Sequence, residues 1–203
     1  MIYGWERYIF IEEGFLKARQ YVSFDIEDAY SDFFSTSVIL LGVEIEANFK
    51  RICKAITGNE LGNMEKYKKV ILKNFPNICS LSSMLREDTK RKYYPFKDWK
   101  NERLVWWDAY VHVKHSITDK QATLNVALNM LSAYQLLLFV AEACTGIDNE
   151  HKYAYSHMNS PRLLTPNIFQ GITLRPGDNT LYASFSTIEL KKKLKALPAQ
   201  KEA

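Results

Sequence analysis

The longest regular pattern in the chain lies between residues 27 and 57, "EDAYSDFFSTSVILLGVEIEANFKRICKAIT". Phe34, Val38, Leu41, Ile45, Phe49, Ile52 and Ile56 recur every three or four positions, the spacing of one buried stripe on a single long helix. Gly58 follows as the expected stop, because glycine takes the left-handed C-cap conformation without a Cβ penalty. Gly42 inside the helix costs about 1 kcal/mol relative to alanine, so a close backbone approach is expected there. A second, shorter helix is predicted over "MEKYKKVILKNF", ending before Pro76. The stretch "PNICSLSSMLREDTKRKYYPFKDWK" has weak periodicity and many turn formers. It reads as a long irregular connection with a short helix near Leu81 to Arg86. A third helix is predicted from about Leu104 to His115, broken by "SITD". A fourth starts near Lys120, with Thr118 and Gln121 spaced as a capping box and Asp119 as a rival cap. It runs to about Cys144 and ends at Gly146.

Beyond residue 145 the pattern changes. "LRPGDNTLYASF" sets a Pro-Gly-Asp-Asn turn between β-prone residues and predicts a small hairpin within residues 170 to 187. "TIELKKKLKAL" reads as a short basic amphipathic helix, and "PAQKEA" as a frayed end. No internal repeat is visible. The expected fold is all-α: an up-and-down bundle of four to five helices with a small irregular or hairpin C-terminal appendage. The expected divisions are an N-terminal segment 1–26, the bundle 27–145, and an appendage 146–203 packing on it.

Composition narrows this picture only slightly. A chain of 203 residues can bury roughly 70% of its unfolded surface, so it needs neither disulfides nor metal for a core. The net charge of +4 permits an anionic partner without demanding one. Cys53, Cys79 and Cys144 are odd in number and widely spaced, which predicts reduced thiols in a cytoplasm. The opening "MIYGWERYIFIEEGF" carries Glu6, Arg7, Glu12 and Glu13 where a signal peptide needs an unbroken apolar run. Asn129, Ser132, Gln135 and Glu142 interrupt the most apolar stretch, Val126 to Cys144, so a buried helix is expected and no membrane span.

The densest chemistry lies in "WWDAYVHVKH", residues 106 to 115. Trp106 and Tyr110 fall on one helical face, as core packing requires, although the rings could also form a stacking platform for bases. His112 and His115, three apart, could face one ion. No zinc spacing joins them to His151, His157 or the cysteines, so no metal and no cofactor is expected. Glu46 and Lys50 form an i, i+4 pair in the favourable order, and Glu44 or Glu46 would line a cleft in a functional reading. "KYKKVILK" and "REDTKRKYYPFKDWK" combine cations with rings, a pattern that can hold a phosphate backbone or simply face water. Serine-nucleophile, phosphate-loop and GxGxxG patterns are all absent.

Two segments together resemble the HEPN superfamily in its bacterial branch. "AYSDFFSTSVILLGVEIEANFKRICK", residues 29 to 54, is similar to that branch's first long helix with its acidic and lysine positions. "WWDAYVHVKHSITDKQATLNVALNMLSAYQLLLFV", residues 106 to 140, resembles a Trp-Trp-x-x-Tyr-Asn-x-Val-Lys-His pattern and the apolar helix after it. The resemblance implies a helical bundle that commonly dimerises. It also implies either a metal-independent RNase of a defence or toxin system or a domain that only binds RNA or nucleotides.

Carried over, His115 matches the catalytic histidine and Lys114 the residue before it. The family's arginine, five positions before the histidine, is replaced by Tyr110, and its polar neighbour by Val111. Ile117 replaces a later arginine, and Arg103 lies about three helical turns upstream. An arginine offers a permanent charge and a planar fork for two phosphate oxygens. Losing such a stabiliser typically costs about 3 to 4 kcal/mol of transition-state energy.

The expectation is therefore a catalytically weak or inactive domain, dimeric, with a cleft near His115 that binds RNA or a nucleotide. The candidate contacts are Lys114, His112, Tyr110, Lys50 and Glu46. The alternatives are a residual RNase using His115 as acid or base, and a protein-interaction module paired with a partner in a defence or toxin–antitoxin system.

Overall fold

The computed structural model describes residues 2–116, 120–145 and 161–167, together with residues 153–154, 158–159, 180–181, 184–185, 192, 194 and 195. Five helices dominate it: α1 (Trp5–Ala18), α2 (Asp32–Thr57), α3 (Met64–Asn74), α4 (Val105–His115) and α5 (Leu124–Thr145). The fold is mostly α, as the periodicity predicts.

Helix α2 carries the predicted stripe. Phe34, Val38, Leu41, Ile45, Phe49 and Ile52 are fully buried, and Ile56 packs at the core's edge. Gly58 ends the helix with φ of 75° and its N–H on the Lys54 carbonyl. The start differs from expectation. Ser31 caps the helix by accepting the Phe34 N–H at 3.2 Å, so residues 27 to 31 lie outside it. That segment serves α5 instead: the Ala29 and Glu27 carbonyls accept the N–H groups of Leu124 and Asn125, and Tyr30 bridges Thr123. Thr123 adds its Oγ1 to the Val126 N–H. The helix therefore starts four residues later than predicted, and the proposed caps Thr118 and Asp119 lie outside the described residues.

The directions of the four main helices alternate. Gly42 and Phe49 of α2 meet Tyr110 and Trp107 of α4 in reversed order, so these two run antiparallel. Tyr30 lies beside Thr123 and Glu44 beside Tyr134, so α2 and α5 run parallel. Helix α1 places Trp5 on Phe139 and Phe15 on Phe34, and so runs against both. Helix α5 sits at the centre. It is long and apolar enough to cross a membrane, but 83% of its most apolar window is buried inside the protein.

Helix α1 was not singled out by its pattern. Its inward face is Trp5, Tyr8, Ile9, Glu12 and Phe15, a regular stripe with one carboxylate in it. Glu12 is only 1% exposed. Four donors surround it: Tyr8 OH at 2.9 Å and the backbone N–H groups of Arg162, Leu163 and Leu164 at 2.7, 3.0 and 3.2 Å. Burial raises the Glu12 pKa, and these hydrogen bonds pull it back. Gln135 of α5 continues the network, donating to Tyr8 OH and the Leu164 carbonyl and accepting from Ser83 Oγ at 2.8 Å.

Ser83 belongs to a small antiparallel sheet that the sequence reading does not contain. Its strands are β1 (Ser83–Leu85), β2 (Lys92–Tyr93) and β5 (Leu164–Pro166), in the order β2-β1-β5. The short helix expected near 81–86 is thus replaced by a strand, preceded by a 3-10 turn over Pro76–Ser80. Its partners explain why. Ser82 N–H is held by Asn167 and Arg86 N–H by the Leu163 carbonyl, contacts made across about 80 residues that local periodicity does not encode.

In the appendage, β3 (Tyr153–Ala154) pairs with β7 (Ser184–Phe185), and β4 (Met158–Asn159) with β6 (Thr180–Leu181). The strands after the predicted Pro-Gly-Asp-Asn turn therefore pair with residues 153 to 159. The turn itself lies outside the described residues. Of the predicted basic C-terminal helix, Lys192, Leu194 and Lys195 are described as helical, with Leu194 buried.

Candidate functional site

The Trp-Trp-x-x-Tyr stretch packs as a core segment. Trp106 and Tyr110 are buried, and Trp106 Nε1 donates to the Pro95 carbonyl at 2.7 Å. Trp107 is partly buried against Phe49, Trp106 and Tyr110. Tyr110, 2% exposed, lies flat on bare backbone at Gly42, where an added Cβ would overlap its ring. This is the close approach that a glycine inside a long helix predicts. It also takes Tyr110 out of the set of side chains that reach a ligand directly.

The other candidates stay at the surface. His112, Lys114 and His115 are exposed on the last turn of α4. Lys114 Nζ sits 5.7 Å from the centre of the Tyr110 ring, a cation–π contact that draws its charge back over the core. His112 Nδ1 lies 3.2 Å from Gln121 Nε2. All three also complement the negative end of the α4 dipole, which is a structural reason for basic residues here. On α2, Glu46 and Lys50 pair with each other at 2.8 Å, and this hydrogen bond raises the Lys50 pKa. Lys50 also lies within electrostatic range of Tyr110. The α2–α4 seam thus gathers Glu46, Lys50, Tyr110 and Lys114 around one buried ring.

The basic loop after α3 is mostly committed to the fold. Tyr93, Phe96 and Trp99 are buried, leaving Tyr94 exposed. Arg91 donates to the Phe24 carbonyl and to Asp25, and Arg86 to the Pro161 carbonyl. The buried rings and the two arginines therefore hold the loop down, while Lys90, Lys92, Lys97 and Lys100 stay exposed. None of the three cysteines is in a disulfide, and burial pushes the Cys53 thiol up to about 11. Among the described residues no three His, Cys, Asp or Glu side chains gather as a metal site requires. His151 and His157 lie outside those residues.

A second candidate site lies on the other face of α2. A cavity of about 1050 Å³ opens between the start of α1 and the middle of α2. Gly4, with φ of 88°, begins α1 and packs against Leu138 and the Tyr134 hydroxyl. That turn aims Tyr3, Arg7 and Phe10 across the cavity toward Leu40, Glu44, Asn48 and Arg51. Glu44 accepts from Arg7 Nη1 at 3.2 Å and from Tyr134 OH at 3.3 Å. The cleft role considered for Glu44 or Glu46 thus falls to Glu44. Arg51 was not anticipated. Its signal was faint: Leu40, Glu44, Ala47 and Arg51 share one face of α2, and that face is neither apolar enough for core nor charged enough for open solvent.

Comparison of the chain with family models, with curated proteins and with solved structures finds no match.

Proposed function

We propose that the chain is a HEPN-like helical domain, catalytically weak or inactive, that binds RNA or a nucleotide through the exposed last turn of α4. The observation that carries this reading is the fate of position 110. The resemblance calls for an arginine there, and the residue present is a neutral tyrosine sealed against Gly42. A buried phenol supplies neither a charge nor a fork to a phosphate. Lys114, His112 and His115 remain accessible beside it and suit phosphate contact without chemistry. Lys50, half-exposed on the adjoining helix, adds a further cation within the same seam. A homodimer, implied by the resemblance, would double this basic edge.

The test is incubation of wild type and His115→Ala with a pool of labelled RNAs in EDTA, followed by binding at several salt concentrations. Intact RNA in both reactions is expected. Binding should weaken linearly in log salt with a slope set by the few phosphates contacted, and Lys114→Ala should weaken it further. Cleavage by wild type alone would replace this reading with a metal-independent endoribonuclease. Absence of binding at low salt would favour a protein-interaction module of a defence or toxin–antitoxin pair.

A further inference from the structure

The cavity between α1 and α2 contains one guanidinium whose hydrogen bonding is incomplete. Arg51 Nε and Nη2 are buried, and neither has an acceptor among the described residues. These two nitrogens share one edge of the guanidinium, with their hydrogens pointing the same way. That edge is the fork by which arginine grips two oxygens of a carboxylate or phosphate. A buried charged donor left without a partner is destabilising by more than an ordinary hydrogen bond is worth. Among the described residues nothing else nearby is placed to relieve it. Glu44 is already engaged by Arg7 and Tyr134, and Glu142 of α5 acts on Arg51 electrostatically without forming an ion pair. Burial lowers the Arg51 pKa, but a guanidinium starts so high that it keeps its charge.

The remaining walls have a second character. The Tyr3 ring lies 5.0 Å from the Arg51 guanidinium carbon, and Phe10 and Leu40 line the same space. Tyr3, in the turn before α1, is 78% exposed and Phe10, on the helix, 71% exposed, an unusual pair of open rings beside one cavity. A cavity of this size accommodates a drug-sized molecule, and its walls set these apolar side chains beside Arg51, Arg7, Glu6 and Glu44, the last paired with Arg7. Tyr3 stacks with the Arg51 guanidinium and is itself largely exposed, so its ring has room to shift as a ligand enters.

We propose that this cavity binds a small amphipathic anion, a flat apolar body carrying one carboxylate or phosphate. Arg51 grips the anion with its Nε–Nη2 edge, and Tyr3 and Phe10 cover the body. The site faces away from Gly42, Glu46 and Lys50 on α2, and so is separate from the basic edge at the end of α4.

Isothermal titration with phenyl phosphate and with phenylacetate tests this, using 2-phenylethanol as the neutral counterpart and inorganic phosphate as the anion without a body. At least one aromatic anion should bind, and the tighter of the two identifies the head group. The alcohol and inorganic phosphate should each bind at least tenfold more weakly. Arg51→Met should lose roughly ten- to a hundredfold in affinity, and Arg51→Lys should retain part of it. The melting temperature of Arg51→Met without ligand should stay level or rise, because an unmatched buried charge has been removed. The proposal is overturned if neither aromatic anion binds at millimolar concentration, or if Arg51→Met binds as wild type does. A marked fall in the melting temperature of Arg51→Met would also overturn it, by making the residue structural.

Discussion

Toward α4, helix α2 offers Gly42 and Phe49; toward α1 it offers Glu44, Asn48 and Arg51. On the first face a tyrosine ring rests on bare backbone, and Phe49 meets Tyr67, Trp99 and Trp107 with centroids 5.4 to 6.2 Å apart. On the second face the same helix holds its neighbour off and leaves a cavity. Rings that need no hydrogen bonds can close a seam completely. The Arg51 edge on the second face is buried without an acceptor among the described residues, a cost the aromatic seam does not carry. The Trp-Trp-x-x-Tyr pattern lies along the closed face. The more unusual chemistry lies along the open one.

The closed seam can be broken most severely at Tyr110. Tyr110→Ala removes a fully packed ring and should cost about 3 to 5 kcal/mol, a fall in melting temperature of roughly 10 °C for a domain of this size. A fall of under 2 °C would mean that the seam is loose. Gly42→Ala comes next, destabilising by about 2 to 3 kcal/mol through overpacking, despite the gain in helix propensity. The pair sharpens the point. In a Tyr110→Ala background the clash is gone, so Gly42→Ala should become neutral or stabilising, and a thermal double-mutant cycle reads the reversal. Additive losses would show that the two residues do not touch. The smallest effect is expected from Lys50→Ala. Its pair with Glu46 leaves the two side chains 51% and 28% exposed, so removing it should change stability by no more than about 0.5 kcal/mol.

Much of the helical frame was legible because its signals are local. The α2 stripe, the Gly58 cap, the close approach at Gly42 and the burial of α5 all follow from spacing within one helix. What was missed depends on partners distant in sequence. Residues 27 to 31 look helical until Ala29 and Glu27 are seen to accept from the first turn of α5. Strand β1 needs Leu163 and Asn167, and the stripe of α1 is interrupted by a carboxylate three of whose four donors lie about 150 residues away. The surface placement of the candidate residues was legible to a similar degree. His112, Lys114 and His115 stand exposed as a basic helix end suggests, whereas Tyr110 is core. Arg51 was only faintly marked by its neighbours in sequence, because its unmatched edge is defined by the lack of acceptors on other elements among the described residues.

The buried Glu12 network also sets an order of events as the chain is made. Helix α1 is made well before residues 162 to 164, which supply three of the four donors to its inward carboxylate. At typical synthesis rates that interval is on the order of ten seconds. Until then, docking α1 on its apolar face would bury an ionised carboxylate with only Tyr8 to meet it, which is strongly unfavourable. Stable docking of α1 therefore depends on residues 162 to 164 and the three hydrogen bonds they bring to Glu12.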